Sequence, residues 1–467
     1  MSLTRPLLVS LALLSLMGCQ HTRPAEEPMS SSPAETTPGK GIVLIEGARV
    51  FDGNEDLGVV TLVIRGAHLM AVVPEGVPLQ APADARRVDY SGRFIMPGLI
   101  TTHSHVGNTD GTEHGDRFYT RDHVVRNLRQ FQAYGVTTVN SLGLNGEAFF
   151  EIRAEVNEDP TLGAQLYGAG AGIGVIDGAP PAANMGLASE PVARPNTPEE
   201  ARQAVREQVF RGVNLIKIWV DDMGGKAPQM KPEVYRAVID EAHRQDVLVA
   251  AHIHDAGPAA ALVESGVDII AHGVRDQPMP TELVKAMAEA GTWYVPTVFI
   301  NEANYWFAEN PEALEDRFIA NALQPALLAR FADPAWRESV LNGEEITREK
   351  AAVQTNLQNL RAAREGGVRI GFGTDSGALP QRVIGFAEHR ELELMVEAGF
   401  TPQEALTVAT RDSALLLGLR DRGTLQDLQR ADFIVLEADP LEDITHTRGI
   451  VAVWQAGQQV SGPVVAD

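Results

Sequence analysis

Cysteine is almost absent from this chain, whose 467 residues include only one, Cys19. A single thiol excludes an internal disulfide as a source of stability. Positive charge is also scarce, because 39 lysines and arginines stand against 62 aspartates and glutamates, which gives a formal net charge of −23. A field of that sign repels phosphate backbones, so we expect no nucleic-acid partner.

The apolar run near the N-terminus is short. Leu7–Met17 cannot span a bilayer, but its length is typical of the core of a secretory signal peptide. The run leads into Leu16-Met17-Gly18-Cys19, which resembles the lipobox of bacterial lipoproteins, where the cysteine is lipidated. We therefore predict a signal peptide over residues 1–19 with lipidation at Cys19. The alternative is a soluble secreted protein that is cut nearby.

The segment after this signal is rich in proline, serine, threonine and glutamate, which predicts a flexible tether over residues 20–40. With the lipobox, it implies an exported protein held in the bacterial cell envelope by a lipid anchor, on the periplasmic face in a Gram-negative cell. We expect membrane contact only through that anchor.

The whole chain has the composition of a soluble globular protein, with 44% hydrophobic and 22% charged residues. Its length accommodates a barrel-sized domain and a smaller one. Short strand-like segments bounded by Gly or Pro fill residues 41–93, and similar segments recur in residues 414–467. Because such strands do not easily bury both faces alone, we predict one small β-sandwich assembled from both chain ends.

Between these segments, over residues 94–413, apolar strands alternate with amphipathic helices, which predicts an α/β fold with a parallel sheet. Eight strand–helix units predict a (β/α)₈ TIM barrel, whose active site lies at the carboxyl ends of the strands. Residues 301–366 are too long for one crossover, so we predict a helical insertion there. Its aromatic residues Trp306, Phe307 and Trp336 either pack the inserted helices together, which we favour, or line a lid.

The first barrel strand ends in two histidines separated by one residue, His103 and His105. Residues i and i+2 of a strand face the same side, so both imidazoles can point at one metal ion. Such a pair is also common as an ordinary polar strand end. The pair becomes informative because later strands end in similar residues.

Those later residues are Lys217 within an apolar strand, the pair His252 and His254, then His272, and Asp375 in a glycine-rich context. Each has an ordinary structural explanation when taken alone, but their convergence at one face of a barrel predicts a metal centre. A lysine that faces a barrel interior needs a partner or a lost charge. It is either paired with a carboxylate or carbamylated by CO₂.

The same residues carry a family resemblance. The chain resembles the amidohydrolase superfamily, and within it the branch of prolidase-like dipeptidases and imidazolonepropionase relatives, in Pro97-Gly98, His103-x-His105, Lys217, His252, His272 and Gly373-Thr374-Asp375. The resemblance covers essentially all of residues 41–467. It implies two divalent metal ions, with Zn²⁺ favoured and Mn²⁺ or Co²⁺ as alternatives.

The resemblance also assigns roles. It places one metal on His103, His105 and Asp375 and the other on His252 and His272. Lys217, carboxylated at its N6 nitrogen, and a hydroxide would bridge the two ions.

It makes Asp375 the group that moves the proton of the nucleophile. His254 is assigned either to the oxyanion or to a supporting hydrogen bond. Tyr235 and Arg236 are candidates for a substrate carboxylate, although a place on the helix surface is the simpler expectation. Asp221 and Asp222 are expected to be solvated loop acids rather than contacts for a cationic group.

These assignments predict a metal-dependent hydrolase that cleaves an amide bond of a dipeptide or an N-acyl amino acid. A cyclic amide or lactone is the nearest alternative substrate. A deaminase on the same barrel would carry His-x-x-Glu where this chain has His252-Ile253-His254-Asp255. A non-catalytic tethered binding lipoprotein is the remaining option. The partner is a small molecule or dipeptide, and a homo-oligomer is left open.

Overall fold

The computed structural model describes residues 41–187 and 192–465. The predicted signal peptide, its Cys19 and the tether therefore lie outside the described residues. Within the described ranges, no helix combines the length and apolar character needed to cross a membrane.

The strands of the described residues fall into an N-terminal, a central and a C-terminal group. The first group is β1 (Ile42–Glu46), β2 (Arg49–Phe51), β3 (Asp56–Arg65), β4 (His68–Pro74), β5 (Arg86–Asp89) and β6 (Phe94–Pro97). The central group is β7 (Leu99–Ser104), β8 (Thr109–Asp110), β9 (Glu113–His114), β10 (Val136–Ser141), β11 (Gln165–Gly168), β12 (Ile216–Trp219), β13 (Val249–His252), β14 (Ile269–Ala271), β15 (Trp293–Val295) and β16 (Arg369–Ile370). The last group is β17 (Phe433–Leu436), β18 (Ile450–Gln455) and β19 (Gln458–Ser461).

Both chain ends contribute to one nine-stranded sheet, in the order β19-β18-β17-β6-β2-β3-β1-β5 with β4 on β3. The two ends meet where β17 runs antiparallel to β6, with Ile434 opposite Met96. Leu62, Phe433 and Trp454 share a buried cluster on this sheet, and the rings of Phe433 and Trp454 stack at 5.4 Å between centroids. The division into two packed layers, which a sandwich requires, stays a prediction, as do the domain boundaries.

The central strands form two parallel sheets, β11-β10-β7 and β12-β13-β14-β15-β16. Every residue of β7, β10 and β12 is buried, as expected for strands that are covered on both faces. Bridges join the edges of the two sheets, since Ser104 pairs with Ser376 and Ile173 pairs with Ile218. The predicted alternation of strands and helices is thereby confirmed as an α/β fold.

The helices of the described residues lie close to the predicted segments. They are α1 (Arg121–Ala133), α2 (Phe149–Glu158), α3 (Pro198–Phe210), α4 (Pro232–Arg244), α5 (Ala256–Glu264), α6 (Thr281–Ala290), α7 (Phe299–Glu302), α8 (Trp306–Glu309), α9 (Arg317–Ala322), α10 (Pro325–Ala332), α11 (Pro334–Leu341), α12 (Glu345–Glu365), α13 (Phe386–Glu397), α14 (Pro402–Thr407) and α15 (Ser413–Leu416). Sequence signals set their starts. Thr197 and Thr401, for example, each cap a helix with a proline in its first turn and a reciprocal glutamate.

Helices α7 to α12 separate β15 from β16 and occupy the predicted insertion. Their aromatic rings pack on one another, since Phe307 stacks on Phe331 at 4.2 Å between centroids and Trp336 lies against Phe331. The packing role that we favoured is therefore the observed one. Strand β15 ends at Val295. Pro296 has no N–H to continue the ladder.

Candidate metal centre

Six side chains predicted to bind metal meet in one cavity of about 360 Å³. They come from the ends of separate parallel strands or from the residues that follow them. They are His103, His105, Lys217, His252, His272 and Asp375. The structure brings them together, and their role as ligands stays a prediction.

The four imidazoles lie ring against ring. The centroid of His103 is 5.8 Å from that of His105 and 4.5 Å from that of His272. The His272 centroid is 4.4 Å from that of His252. Alternation along β7 points His103 and His105 to the same side, as the sequence predicts.

Asp375 closes the cluster on the side of β7. Its Oδ1 lies 3.2 Å from Nε2 of His103 and 2.9 Å from Nε2 of His105. Its Oδ2 pairs with the guanidinium of Arg382. Burial opposes the charge on Asp375, but Arg382 and both imidazoles together hold the pKa of this carboxyl well below its usual value.

Two residues of the cluster have left-handed backbones. His272 has φ of +82° and Asp375 has φ of +57°. A residue with a side chain adopts this region only when its surroundings enforce it, and such conformations concentrate at functional sites.

In three of the histidines, one of the two ring nitrogens makes a hydrogen bond. Nδ1 of His105 lies 3.1 Å from the carbonyl oxygen of Gly143, and Nδ1 of His272 lies 2.8 Å from Oγ1 of Thr297. Nε2 of His252 lies 3.0 Å from Oδ2 of Asp221. These contacts orient each ring and leave its other nitrogen for a metal, which is the usual arrangement around ligating histidines.

His103 shows most directly that the cluster fits a metal. Its Nδ1 is buried and has no hydrogen-bond partner. One ligand atom each from His103, His272 and Asp375 can be chosen so that all lie within 4.8 Å of one another. Burial lowers the pKa of His103 to about 3 and that of His252 to about 4, so both rings are neutral near pH 7. Neutral imidazoles with a carboxylate suit a divalent transition metal.

Lys217 lies on β12 with 1% of its surface exposed. Within the described ranges it forms no ion pair, and its Nζ lies 5.4 Å from the centre of the Trp219 ring. Burial lowers the pKa of Lys217 to about 7, and the carboxylate of Asp375 opposes this only in part. A large fraction of the amine is therefore neutral near pH 7.

Three predicted site residues do not line the cavity. Tyr235 is buried in the hydrophobic core on α4, and its neighbour Arg236 points to Ser265, with 3.2 Å between Nε and Oγ. His254 is two-fifths exposed, with its Nδ1 2.5 Å from Oδ1 of Asp255. Tyr235 is therefore in the core and not on the helix surface that we favoured, Arg236 lies on that surface as favoured, and His254 makes a hydrogen bond to a neighbouring acid, which leaves its role as a prediction.

The sequence reasoning missed three charged residues that line the cavity, Asp221, Arg275 and Arg382. Asp221 was expected to be a solvated loop acid, yet only 14% of its side chain is exposed. Burial works against its charge, but the hydrogen bond with His252 holds its pKa below the usual value. Asp221 and Arg275 follow predicted strand ends within three residues, and that position was the available signal.

The α/β fold brings a cluster of titratable side chains together at its strand ends, an arrangement that suits metal-dependent hydrolysis. Comparisons with known proteins identify the family. The model of the amidohydrolase family matches residues 94–460. The chain belongs to the amidohydrolase family, which confirms the predicted resemblance and the enzyme class that acts on carbon–nitrogen bonds. Members of this family generally bind divalent metals.

Individual relatives agree with this placement. An ochratoxinase of Aspergillus niger is 26% identical over 472 residues, covering 92% of this chain and 88% of that protein. An imidazolonepropionase of Deinococcus deserti is 40% identical over 100 residues, 21% of this chain and 25% of that protein. The structure of a putative prolidase from Bifidobacterium longum has a TM-score of 0.69 and 28% identity, covering 91% of this chain and 96% of that one.

Proposed function

We propose that this protein is a metal-dependent hydrolase that cleaves the amide bond of a dipeptide or an N-acyl amino acid. The observation that carries the proposal is the meeting of four imidazoles, a carboxylate and an uncompensated lysine in one cavity. Similarity to an ochratoxinase and to a putative prolidase supports amide substrates. We also propose that the bridged sheets form one closed (β/α)₈ barrel.

Two divalent ions, most simply Zn²⁺, would supply a lowered pKa for the attacking water and polarise the scissile carbonyl. His103, His105 and Asp375 would hold one ion, and His252 with His272 the other. Asp375 is positioned to accept the proton of the water and to return it to the leaving amine. Its low pKa keeps this carboxylate ionised near pH 7.

Lys217 would act as its N6-carboxylate. The neutral amine would form an N–C bond with CO₂ and release one proton, and the resulting anionic carboxylate would serve as a further ligand for the metal ions. The depressed pKa of Lys217 supports this step, because only the neutral amine is nucleophilic.

Arg275 supports a substrate with a free carboxylate. It is buried, and Nη1 donates to the carbonyl oxygens of Ile253 at 3.1 Å and Gly273 at 2.9 Å. Its Nε has no hydrogen-bond partner, and in the described part of the chain it forms no ion pair, although the charge of Asp221 acts on it through space. A buried cation in this state favours an anionic ligand group. Trp219, Ile300 and Leu379 add apolar walls for a side chain.

The test follows amine release from dipeptides and N-acyl amino acids, with and without a chelator. Each N-acyl amino acid is paired with its carboxamide, which lacks the carboxylate. Lactones are followed by acid release, and amino heterocycles by ammonia release. We expect chelator-sensitive amine release that Zn²⁺, Mn²⁺ or Co²⁺ restores. Release of acid from lactones alone, or of ammonia alone, would replace the amide proposal.

Two variants sharpen this test. Lys217→Ala should abolish turnover while the fold is retained. Arg275→Met should raise KM for the N-acyl amino acid by about 10- to 100-fold, since a hydrogen bond to a charged group contributes about 1.5–3 kcal/mol. The KM for the matching carboxamide should stay the same. Equal effects on both substrates would remove Arg275 from carboxylate recognition.

We also propose export and lipid anchoring through Cys19, which rests on the resemblance of residues 16–19 to a lipobox. Incorporation of labelled palmitate into the full chain, and its loss in Cys19→Ala, would test this. An unlabelled protein in the soluble envelope fraction would favour secretion without an anchor.

A further inference from the structure

Helix α13 carries two buried glutamates three residues apart, Glu388 and Glu391, which therefore share a face. Their exposed fractions are 0% and 1%. Within residues 41–187 and 192–465, neither carboxylate forms an ion pair. Burial raises the pKa of both carboxyl groups, that of Glu391 to about 8, and such buried polar groups are unfavourable unless hydrogen bonds compensate for the lost water. The partners of these two carboxylates therefore indicate what they do.

Glu388 accepts hydrogen bonds from both sequence neighbours of Asp375. Its Oε1 accepts hydrogen bonds from Oγ1 of Thr374 and from Oγ of Ser376, each at 2.6 Å. Its Oε2 accepts from the backbone N–H of Gly385 at 2.8 Å. One carboxylate oxygen thus fixes the residues on either side of the left-handed backbone of Asp375, a conformation that needs such support.

The same network reaches the first barrel strand. Oγ of Ser104 lies 3.3 Å from Oγ of Ser376, and the backbone N–H of His105 donates to the carbonyl of Ser376 at 2.7 Å. Glu388 therefore ties the loop of Asp375 to the strand that presents the first two histidines.

Glu391 holds the loop behind His272. Its two oxygens accept the backbone N–H groups of Val298 and Phe299, each at 2.8 Å. The preceding residue, Thr297, has φ of +44°, and its Oγ1 lies 2.8 Å from Nδ1 of His272. Fixing this backbone therefore fixes the hydroxyl that orients the His272 ring.

We propose that Glu388 and Glu391 are positioning residues, through which helix α13 holds Asp375 and His272 in place for the metal ions. The inference rests on the proposed metal site and is independent of the substrate. The alternative is that both glutamates only stabilise the fold. The two roles differ in what they do to metal retention, because orienting groups behind metal ligands typically change metal affinity by about 10- to 100-fold.

The sharpest test is a matched pair at Thr374. Thr374→Val keeps the shape but removes the hydroxyl, whereas Thr374→Ser keeps the hydroxyl and removes a methyl group. The Zn²⁺-loaded full chain is mixed with a chromophoric chelator, and the rate of Zn²⁺ release is recorded. We expect about 10-fold faster release from Thr374→Val and near-unaltered release from Thr374→Ser. Similar rates for the two variants would overturn the proposal for Glu388.

Glu388→Gln and Glu391→Gln test the two carboxyl groups directly. In each variant an amide NH₂, which is a donor, replaces an accepting oxygen and faces an N–H or O–H that is also a donor. The control is Asp432→Asn. Asp432 is a buried acid in the sheet of the chain ends, and it accepts from the N–H of Ala456 at 2.6 Å. We expect all three variants to lower Tm, but only the two glutamate variants to release Zn²⁺ faster.

The outcomes separate the two proposals. An unaltered protein that binds no divalent metal would overturn both the proposed function and this inference. In the other case the unaltered protein binds metal while the glutamate variants release Zn²⁺ at the unaltered rate. If the Tm of those variants is then no higher than that of Asp432→Asn, only the positioning role is refuted. The visible spectrum of the Co²⁺-loaded protein gives a second readout, since a shifted ligand geometry changes its d–d bands.

Discussion

The buried lysine offers the most direct test of the reasoning behind the site. Unfolded Lys217 would titrate near 10.5, whereas burial lowers the pKa of the folded residue to about 7. Between these values the unfolded chain binds more protons than the folded one. The free energy of unfolding of the metal-free protein must therefore rise with pH across this window and lose that contribution as pH falls toward 7.

The size of this change in the free energy of unfolding follows from the difference between the unfolded and folded pKa values of Lys217. One pKa unit corresponds to about 1.4 kcal/mol, so the whole displacement of the pKa from 10.5 to about 7 amounts to about 5 kcal/mol, most of which falls between these two pH values. About 2 kcal/mol of this falls between pH 7 and pH 9, because the folded lysine is half protonated at pH 7 and the unfolded lysine remains mostly protonated at pH 9.

The assay is urea unfolding at pH 7 and pH 9, with chelator and without CO₂, for the unaltered protein and for Lys217→Met. The variant removes the titrating group and keeps a side chain of similar length, so the difference between the two pH dependences isolates Lys217. We expect the unaltered protein to gain about 2 kcal/mol more than the variant from pH 7 to pH 9. Parallel pH dependences would mean that the folded lysine keeps its charge, and the carboxylation step would lose its basis.

Further predictions concern the surroundings of the cluster. Asp221→Asn should weaken metal retention by about 10-fold, because the amide does not hold Nε2 of His252 as a carboxylate does; unchanged release to a chelator would contradict this. Gly143→Ala should lower stability by about 1–3 kcal/mol in urea and reduce metal content, because a Cβ there would meet the Trp219 ring at 2.7 Å with φ at +101°. Phe307→Ala should cost about 3–5 kcal/mol of stability without changing kcat, since its ring packs within the insertion; a lower kcat would indicate a lid role.

The sequence predicts much of this fold because two periodicities are strong. Buried strands followed by amphipathic helices mark the βα units, and alternation along β7 puts His103 and His105 on one face. Parallel strands then bring their carboxyl ends together, so residues far apart in sequence, such as Lys217 and Asp375, were expected to be neighbours. The cavity contains both.

The geometry of the loops explains why some residues that line the cavity were not predicted from the sequence. The side chains of Asp221 and Arg382 reach the cavity only because of the path of the loops after the strands, and no periodicity encodes that path. For Tyr235 the sequence favoured the surface of a helix, with a substrate contact as the alternative, and helix packing instead places it in the hydrophobic core. The left-handed backbones of His272 and Asp375 are equally invisible in the sequence, since neither residue is a glycine.

The charge of the cavity and the charge of the chain have opposite roles. A net charge of −23 repels an anionic substrate at long range, yet in the cavity Arg275 and Arg382 stand beside the two carboxylates Asp221 and Asp375. Salt screens exposed charges beyond about 10 Å at 0.1 M but acts much less on buried pairs. The surface field therefore fades at physiological ionic strength, while a contact with buried Arg275 persists. A strongly acidic protein can thus still select a carboxylate, provided that the selecting cation is shielded inside the cavity.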